Sequence, residues 1–368
     1  MSPRFDALRA IGWPFEGMPP PGPWQDAMQA HPGARPARVI EQHRSGYIVA
    51  EGLAGGFAVE SLPDWQRPRL PPGERPAVGD WLLVEGDAAG DARAAALLPR
   101  RTAIKRGAAG EHYGQQVIAA NIDIVFVVTG LDGDFNPRRI ERYLLLVQSG
   151  GARPVVVLTK ADRDGVDDTA ARAELTDAIG AGVPVVAVNA KDRGSVAALE
   201  QWLPPGSTAV LVGSSGAGKS TLTNTLLGIE KMKTGAVRES DARGRHTTTH
   251  RALIPLPSGA CLIDTPGMRE LKPTGEERLA DGGFEDIEAL AGDCRFRDCR
   301  HDREPGCAVR AAIDAGALDA QRFANYLKLR DELAGAADQL ATRQAQKADE
   351  RVQGKALNKR LDDKYGRH

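Results

Sequence analysis

The stretch LVGSSGAGKST (211–221) decides the fold. Gly213-Ser214-Ser215-Gly216-Ala217-Gly218-Lys219-Ser220 fits the spacing G-x-x-x-x-G-K-[ST], and Thr221 completes the stretch. Its context is also right: an apolar run (AVLVG, 209–213) comes before it, and a helical run (STLTNTLLG, 220–228) follows. Such a loop holds phosphate because glycines let backbone N–H groups curl around anionic oxygens where a Cβ would collide. The positive end of the following helix adds to the attraction. In that scheme Lys219 neutralises β/γ-phosphate charge and Ser220 ligates Mg²⁺. The loop alone does not name the nucleotide, since ABC-type ATPases carry a similar string.

Two further stretches choose the base. VVVLTKAD (155–162) reads as a buried strand running into a polar turn, Thr159-Lys160-Ala161-Asp162. A fixed Asp162 carboxylate can accept from guanine N1–H and the 2-amino group together. Adenine lacks that paired donor edge, and would leave the charge poorly solvated. Lys160 would lie along the ring face. The usual pattern here is Asn-Lys-x-Asp; Thr159 keeps an oxygen to tie loops together but loses the amide's reach. At the end of the next strand Asn189-Ala190-Lys191 resembles a Ser-Ala-Lys element whose backbone N–H reads guanine O6. Downstream, Asp264-Thr265-Pro266-Gly267 fits D-x-x-G. Asp264 would hold Mg²⁺ through water, and the Gly267 N–H would meet the γ-phosphate. An ABC ATPase would place an Asp-Glu pair at this strand end and carry an LSGGQ-like string; neither is present. That argues against an ATPase of metabolism or transport.

These loops run in an unusual order, with the base selector before the phosphate loop. A parallel sheet is defined by which strands are neighbours, so joining the old termini and opening the chain elsewhere leaves the site intact. The order therefore predicts a circularly permuted GTPase domain. Its strands are expected at 122–130, 154–160, 184–190, 209–213, 251–256 and 260–264, with the last two forming a hairpin added to the sheet. Helical patterns between them, such as PRRIERYLLLVQSGG and DDTAARAELTDAIGAG, indicate a mainly parallel sheet covered on both faces. The segment after D-x-x-G leads directly into the C-terminal module, which makes the chain look like a conformational switch.

One catalytic part is missing. Ras-like GTPases use a Gln just after D-x-x-G to position the attacking water, and this chain has Met268 there. Slow hydrolysis without a partner is expected. The first switch belongs in GRHTTTHR (244–251), where one of Thr247–Thr249, chosen as Thr248, would complete the Mg²⁺ shell. His246 either orients water or is a surface histidine.

Beyond that domain, Cys294-x₄-Cys299-x-His301-x₅-Cys307 places three thiols and an imidazole within fourteen residues. Three thiolates and one imidazole make the shell of a closed structural zinc site. Nearby Arg295, Arg297, Arg300, Arg303 and Arg310 offer a phosphate-backbone surface. Cys261 reads as a core residue. The tail, rich in Lys and Arg, is either a basic helix on RNA or a solvated end.

At the other end, residues 1–36 carry eight prolines and predict an extended, poorly ordered arm. Trp13 and Trp24 would anchor it on a partner or pack it on the body. Short strands with turn signals follow (ARVIEQH, YIVAEG, GFAVE, VGDWLLVE, ARAAALL), as in a five-stranded OB-type barrel. Tyr47, Phe57 and Trp81 could stack on bases, though such barrels also bind proteins. The expected organisation is a 1–36 arm, a 37–104 barrel, a 105–275 permuted P-loop GTPase domain, a 276–335 helical zinc-binding domain and a 336–368 basic tail.

Composition fits this multidomain reading. The chain has 368 residues, 42% hydrophobic and 26% charged, with a formal net charge of −1, so it is no wholesale polybasic nucleic-acid binder. The N-terminus lacks a signal-peptide core and no apolar run is long enough for a membrane span, which predicts a cytoplasmic protein with four reduced cysteines.

Barrel, GSSGAGKST, DTPG, GRHTTT and the Cys/His spacing together resemble the bacterial ribosome small-subunit-dependent GTPase A (RsgA) family, over roughly 37–335. The resemblance implies GTP hydrolysis to GDP and phosphate, stimulated by the 30S ribosomal subunit. It also implies a role in late maturation of that subunit and binding to its 16S rRNA. By matching motif it assigns nucleotide binding to Gly213–Thr221 and Thr159–Asp162, and zinc to Cys294, Cys299, His301 and Cys307. A monomer is expected. The alternative is an RNA-binding assembly scaffold whose nucleotide site is weak or non-hydrolysing.

Overall fold

The computed structural model describes residues 3–43, 46–67, 70–88, 90–107, 115–163, 165–179, 182–228, 251–264, 271 and 273–365. Helices α1 (Pro3–Ala10) and α2 (Pro23–Ala30) lead into strands β1 (Arg35–Gln42), β2 (Gly46–Ala50) and β3 (Phe57–Glu60). A short helix α3 (Pro63–Gln66) precedes β4 (Trp81–Glu85) and β5 (Arg93–Leu97). The five strands pair in the order β1-β2-β3-β5-β4 and close through β4 on β1. This is the OB topology expected from the short strands.

Alternation along β4 explains how the barrel sits in the molecule. Leu82 and Val84 point into the barrel with Val39, Val49 and Val59. Trp81 and Leu83, on the opposite face, join the larger core that runs into the rest of the protein. Trp81 is wholly buried there, edge-on to Trp13 with ring centroids 4.9 Å apart.

That contact corrects two expectations. Residues 1–36 are not an extended arm: Leu8, Ile11, Trp13 and Trp24 are buried in the main core, and two of the prolines, Pro3 and Pro23, open helices. Proline is favoured at a first helical turn because its missing N–H would be unsatisfied there anyway. The tryptophans therefore pack on the body. Nor are Tyr47 and Trp81 base-stacking platforms, since Tyr47 faces the barrel interior and Trp81 lies beneath the N-terminal helices. Phe57 is half-buried with the Arg35 guanidinium over its ring.

A two-stranded sheet, β6 (Ala103–Gly107) with β7 (Gln115–Ala120), links barrel to GTPase domain. Then come β8 (Ile124–Gly130), α4 (Pro137–Ser149), β9 (Arg153–Thr159), α5 (Asp168–Ile179), β10 (Val185–Ala187), α6 (Arg193–Val196), β11 (Thr208–Val212), α7 (Lys219–Leu227), β12 (Ala252–Pro255) and β13 (Cys261–Asp264). The sheet order is β10-β9-β8-β11-β13-β12. All neighbours are parallel except β12 on β13, the added hairpin. β1 of the barrel also pairs with β12 at Glu41 and Ala252, so the two sheets are continuous.

Arg38 rivets this junction. The guanidinium is fully buried, donates to Thr208 Oγ1 at 2.8 Å, to the Asn121 carbonyl at 3.0 Å and to the Gly79 carbonyl at 3.2 Å, and also reaches the Ile11 carbonyl. One side chain thereby ties the N-terminal helices, the barrel and the phosphate-loop strand. Burial holds its pKa below the usual arginine value.

Behind β13 the alternation of strand and helix stops. Helices α8 (Glu285–Gly292), α9 (Ala308–Asp314) and α10 (Ala320–Tyr365) enclose a separate apolar cluster around Phe284, Ile287, Val309, Phe323 and Leu329. Leu145 of α4 belongs to the same cluster. A 3₁₀ turn, Leu279–Gly282, presses on it so closely that a Cβ on Gly282 would lie 2.8 Å from a Leu145 methyl.

Candidate nucleotide site and metal centre

The strand order brings distant loops to one edge. β9 delivers Thr159–Asp162, β10 delivers Asn189–Lys191, and β11 delivers the phosphate loop, all at the carboxyl ends of parallel strands where α/β sheets bind ligands. They line one cavity of about 320 Å³. Thr159, Lys160, Asp162, Asn189, Ala190, Lys191, Gly216, Gly218 and Thr221 face it, and so do Asp132 and Arg163, which the motifs did not single out.

Thr159 ties the loops as its oxygen suggested. Its hydroxyl donates to the Ala217 carbonyl at 2.5 Å, and Gly218, in left-handed backbone, leaves only 3.1 Å between a would-be Cβ and that hydroxyl. The Thr225 hydroxyl of α7 donates to the Ala190 carbonyl at 2.6 Å, fastening the second base loop to the helix behind the phosphate loop.

In the phosphate loop, Gly213 lies so close to β8 that a Cβ would stand 2.1 Å from the Val128 carbonyl. Gly218 caps α7, which starts at Lys219. The Lys219 ammonium donates to the carbonyls of Gly213 at 2.8 Å and Ser214 at 2.5 Å, bridging the loop. Ser214 is held from outside: its hydroxyl donates to the Asp134 carboxylate at 2.5 and 2.6 Å, and Arg139 of α4 pairs with that carboxylate. Ser215 completes the loop and Ser220 lies in the first turn of α7. Asp264 ends β13 directly beside β11, in register with Ala252. His246, Thr248 and Gly267 lie outside the described residues.

The base loop is anchored through Asp132, in the turn after β8. Its carboxylate meets Lys160 Nζ at 2.6 Å and Arg163 at 3.1 Å. The hydrogen bond from Lys160 holds the Asp132 carboxyl below the usual carboxylate range. Lys160 itself has φ of +62°, a left-handed conformation that a side chain rarely adopts outside a constrained turn. The sequence signal for Asp132 was its place: LDGDFNP follows the strand that the sheet order puts between the base loop and the phosphate loop.

The second site is local. Cys294, Cys299, His301 and Cys307 bring one ligand atom each to within 4.8 Å of one another. Sγ of Cys294 and Cys307 are 3.8 Å apart, and His301 Nδ1 lies 3.6 and 3.5 Å from them. A tetrahedral ion at ordinary Zn–S and Zn–N lengths needs edges of about 3.8 and 3.6 Å. The residues fit such an ion. Burial keeps the His301 pKa below the ordinary imidazole value, with Arg330 adding repulsion, which favours the neutral ring that a metal ion requires. Cys307 is the N-cap of α9 and accepts from the Arg310 N–H. Against a desolvation that favours the thiol, the N–H groups of Val309 and Ala308 draw Cys294 below its usual value.

An OB barrel, a permuted P-loop sheet with its base and phosphate loops at one edge, and a Cys/His module define the class: a circularly permuted GTPase. Residues 97–274 match the RsgA GTPase family model. An ABC transporter model also matches 197–361, starting just before the phosphate loop that both classes share. Past β13, however, the described chain is helical, and Asp264 is followed by Thr265 instead of the glutamate of that class. Two relatives are each named small ribosomal subunit biogenesis GTPase RsgA. That of Xanthomonas axonopodis pv. citri (strain 306) is 66% identical over 368 residues, covering 100% of this chain and 99% of the relative. That of Xanthomonas euvesicatoria pv. vesicatoria (strain 85-10) is 68% identical over 345 residues, 94% of this chain and 93% of the relative. Among solved structures, YjeQ from Thermotoga maritima superposes with a TM-score of 0.60 at 24% identity, over 82% of this chain and 99% of its own. YloQ, described as a circularly permuted GTPase, gives 0.58 at 21% identity, over 83% and 96%. The chain belongs to the RsgA GTPase family and is a P-loop GTP hydrolase.

Proposed function

We propose that the protein hydrolyses GTP to GDP and phosphate under stimulation by the 30S subunit, and acts in late biogenesis of that subunit while bound to its 16S rRNA. Two observations support this: the name carried by relatives at 66% and 68% identity, and a cavity that joins a Lys-x-Asp base loop to a phosphate loop. In this reading Asp162 accepts from the guanine donor edge, Lys160 covers the ring and an Asn189–Lys191 N–H meets O6. The N–H groups of 213–221 and Lys219 hold the phosphates. Ser220, Thr248 and, through water, Asp264 would hold Mg²⁺, which neutralises phosphate charge as the γ-phosphoryl leaves. Gly267 N–H senses that phosphate, and His246 orients water in place of the missing Gln. Cys294, Cys299, His301 and Cys307 would hold zinc as a structural crosslink. No described helix is long and apolar enough to cross a membrane; we place the protein in the cytoplasm, as a monomer. The domain limits 37–104, 105–275, 276–335 and 336–368 are retained, with 1–36 as a helical pack on the barrel.

One experiment tests the whole: GTP and ATP turnover with and without purified 30S subunits, using the wild type and His246→Ala. GTP-selective turnover that rises with 30S, and that loses the rise but keeps GTP binding in His246→Ala, is expected. Equal ATP turnover or no response to 30S overturns the function. Unchanged stimulation in the variant removes His246 from the mechanism.

A further inference from the structure

We propose that Asp132 is a positioning residue for base recognition, keeping Lys160 on the cavity wall and away from Asp162. The inference rests on the guanine reading of the cavity. Three cavity-lining charges make up the unit: Lys160 and Arg163 both converge on Asp132 Oδ2, at 2.6 and 3.1 Å. The other oxygen, Oδ1, accepts from the Asp134 N–H at 3.1 Å, which fixes the carboxylate to its own turn. Gly130 makes room for the pair. A Cβ there would lie 2.8 Å from Asp132 Oδ1, 3.0 Å from Lys160 Nζ and 3.1 Å from Lys160 Cε. Absence of a side chain at the end of β8 is therefore what lets the lysine tip reach Asp132.

The consequence for binding follows from the neighbours. Lys160 stands two residues before Asp162, and both line the same cavity. A lysine is a flexible stem ending in a strongly hydrated point charge. Freed of Asp132, its ammonium has Asp162 as the next carboxylate on its own loop. Pairing there would occupy the oxygens that read guanine N1–H and the 2-amino group. Asp132 thus does two things at once. It fixes the stem before the nucleotide arrives, which lowers the ordering cost of binding, and it leaves the Asp162 carboxylate open to the base. Neither effect touches the phosphate end, where Lys219 and Ser214 have separate partners.

The test compares Asp132→Ala, Asp132→Glu and Lys160→Ala with wild type, alone and with Asp132→Ala added to Lys160→Ala. GTP and ITP turnover and GDP binding are measured; ITP lacks the 2-amino group. Asp132→Ala is expected to raise KM for GTP about tenfold with kcat unchanged, and to narrow the GTP/ITP ratio of kcat/KM. Asp132→Glu recovers part of the loss, and Asp132→Ala adds nothing in the Lys160→Ala background. Wild-type KM and ratio in Asp132→Ala overturn the proposal. So does a fall in kcat at constant KM, or a full additional loss in the Lys160→Ala background. A wild type that treats GTP and ITP alike, with Asp162→Asn changing nothing, instead shows that the guanine reading itself has failed.

Discussion

The two candidate sites are built in opposite ways. The Cys/His centre takes four ligands from fourteen consecutive residues, and the chain need only make a tight turn and start α9 to assemble it. The nucleotide cavity draws on residues from Asp132 to Thr221, which meet only because β8, β9, β10 and β11 lie side by side. A local site depends on its own ligands; a distributed one depends on every tie between its loops. Helix α4 links the two regions, since it carries Arg139, which braces Asp134 behind the phosphate loop, and Leu145, which is buried in the C-terminal module.

The largest expected effect comes from breaking the local site. Cys307→Ser, or exhaustive chelation, would remove the proposed zinc crosslink from a small module whose apolar cluster includes Cys307 itself. Metal binding in such modules is folding free energy, on the order of 10 kcal/mol. Thermal unfolding should split, with the C-terminal helices melting first and GTP still binding. A single unchanged transition would mean that the ion is not structural.

The joint between the sites gives the next effect. Glu141 of α4 is 3% exposed; one oxygen accepts from Asn325 of α10 at 3.2 Å and the other has no hydrogen-bond partner. Burial pushes its pKa up to about 7, with Arg322 and Arg138 opposing. The native state therefore holds this proton more tightly than the unfolded chain. Its stability contribution is intact below the ordinary carboxylate pKa and is lost as pH rises towards 7. Glu141→Gln should stabilise the protein by about 3 kcal/mol at pH 8 and by almost nothing at pH 4. Urea unfolding at both pH values checks this, and equal effects at the two would exclude the charge as the cause.

The smallest effect tests a single tie in the distributed site. Thr159→Val keeps the shape of the side chain but loses the hydrogen bond to the Ala217 carbonyl, worth about 1 kcal/mol. GDP affinity should fall about fivefold. An unchanged affinity would show that strand order alone holds the base loop against the phosphate loop.

Much of this was legible in residues. The strand runs around Val127, Val156 and Val210 read directly because both faces of a parallel sheet are apolar. The Lys-x-Asp turn and the Cys/His spacing read because each sits within a few residues. The N-terminal segment misled because proline density signals extended chain and helix starts alike, and only the burial of Trp13 against Trp81 separates them. The β6–β7 hairpin went unseen, its strands being short and its burial depending on the barrel next to it.

What the chain alone determined is a set of motifs held in short stretches: G-x-x-x-x-G-K-[ST], Lys-x-Asp, D-x-x-G and a Cys/His spacing. Local backbone and side-chain type suffice for these, whatever lies beyond. Tertiary structure alone decided that Asp132 reaches Lys160, that Asp134 braces Ser214, that Arg38 joins three segments and that α4 docks in the C-terminal module. Those contacts span elements whose spacing in sequence carries no signal. They exist because strand order and packing bring the partners within hydrogen-bond reach.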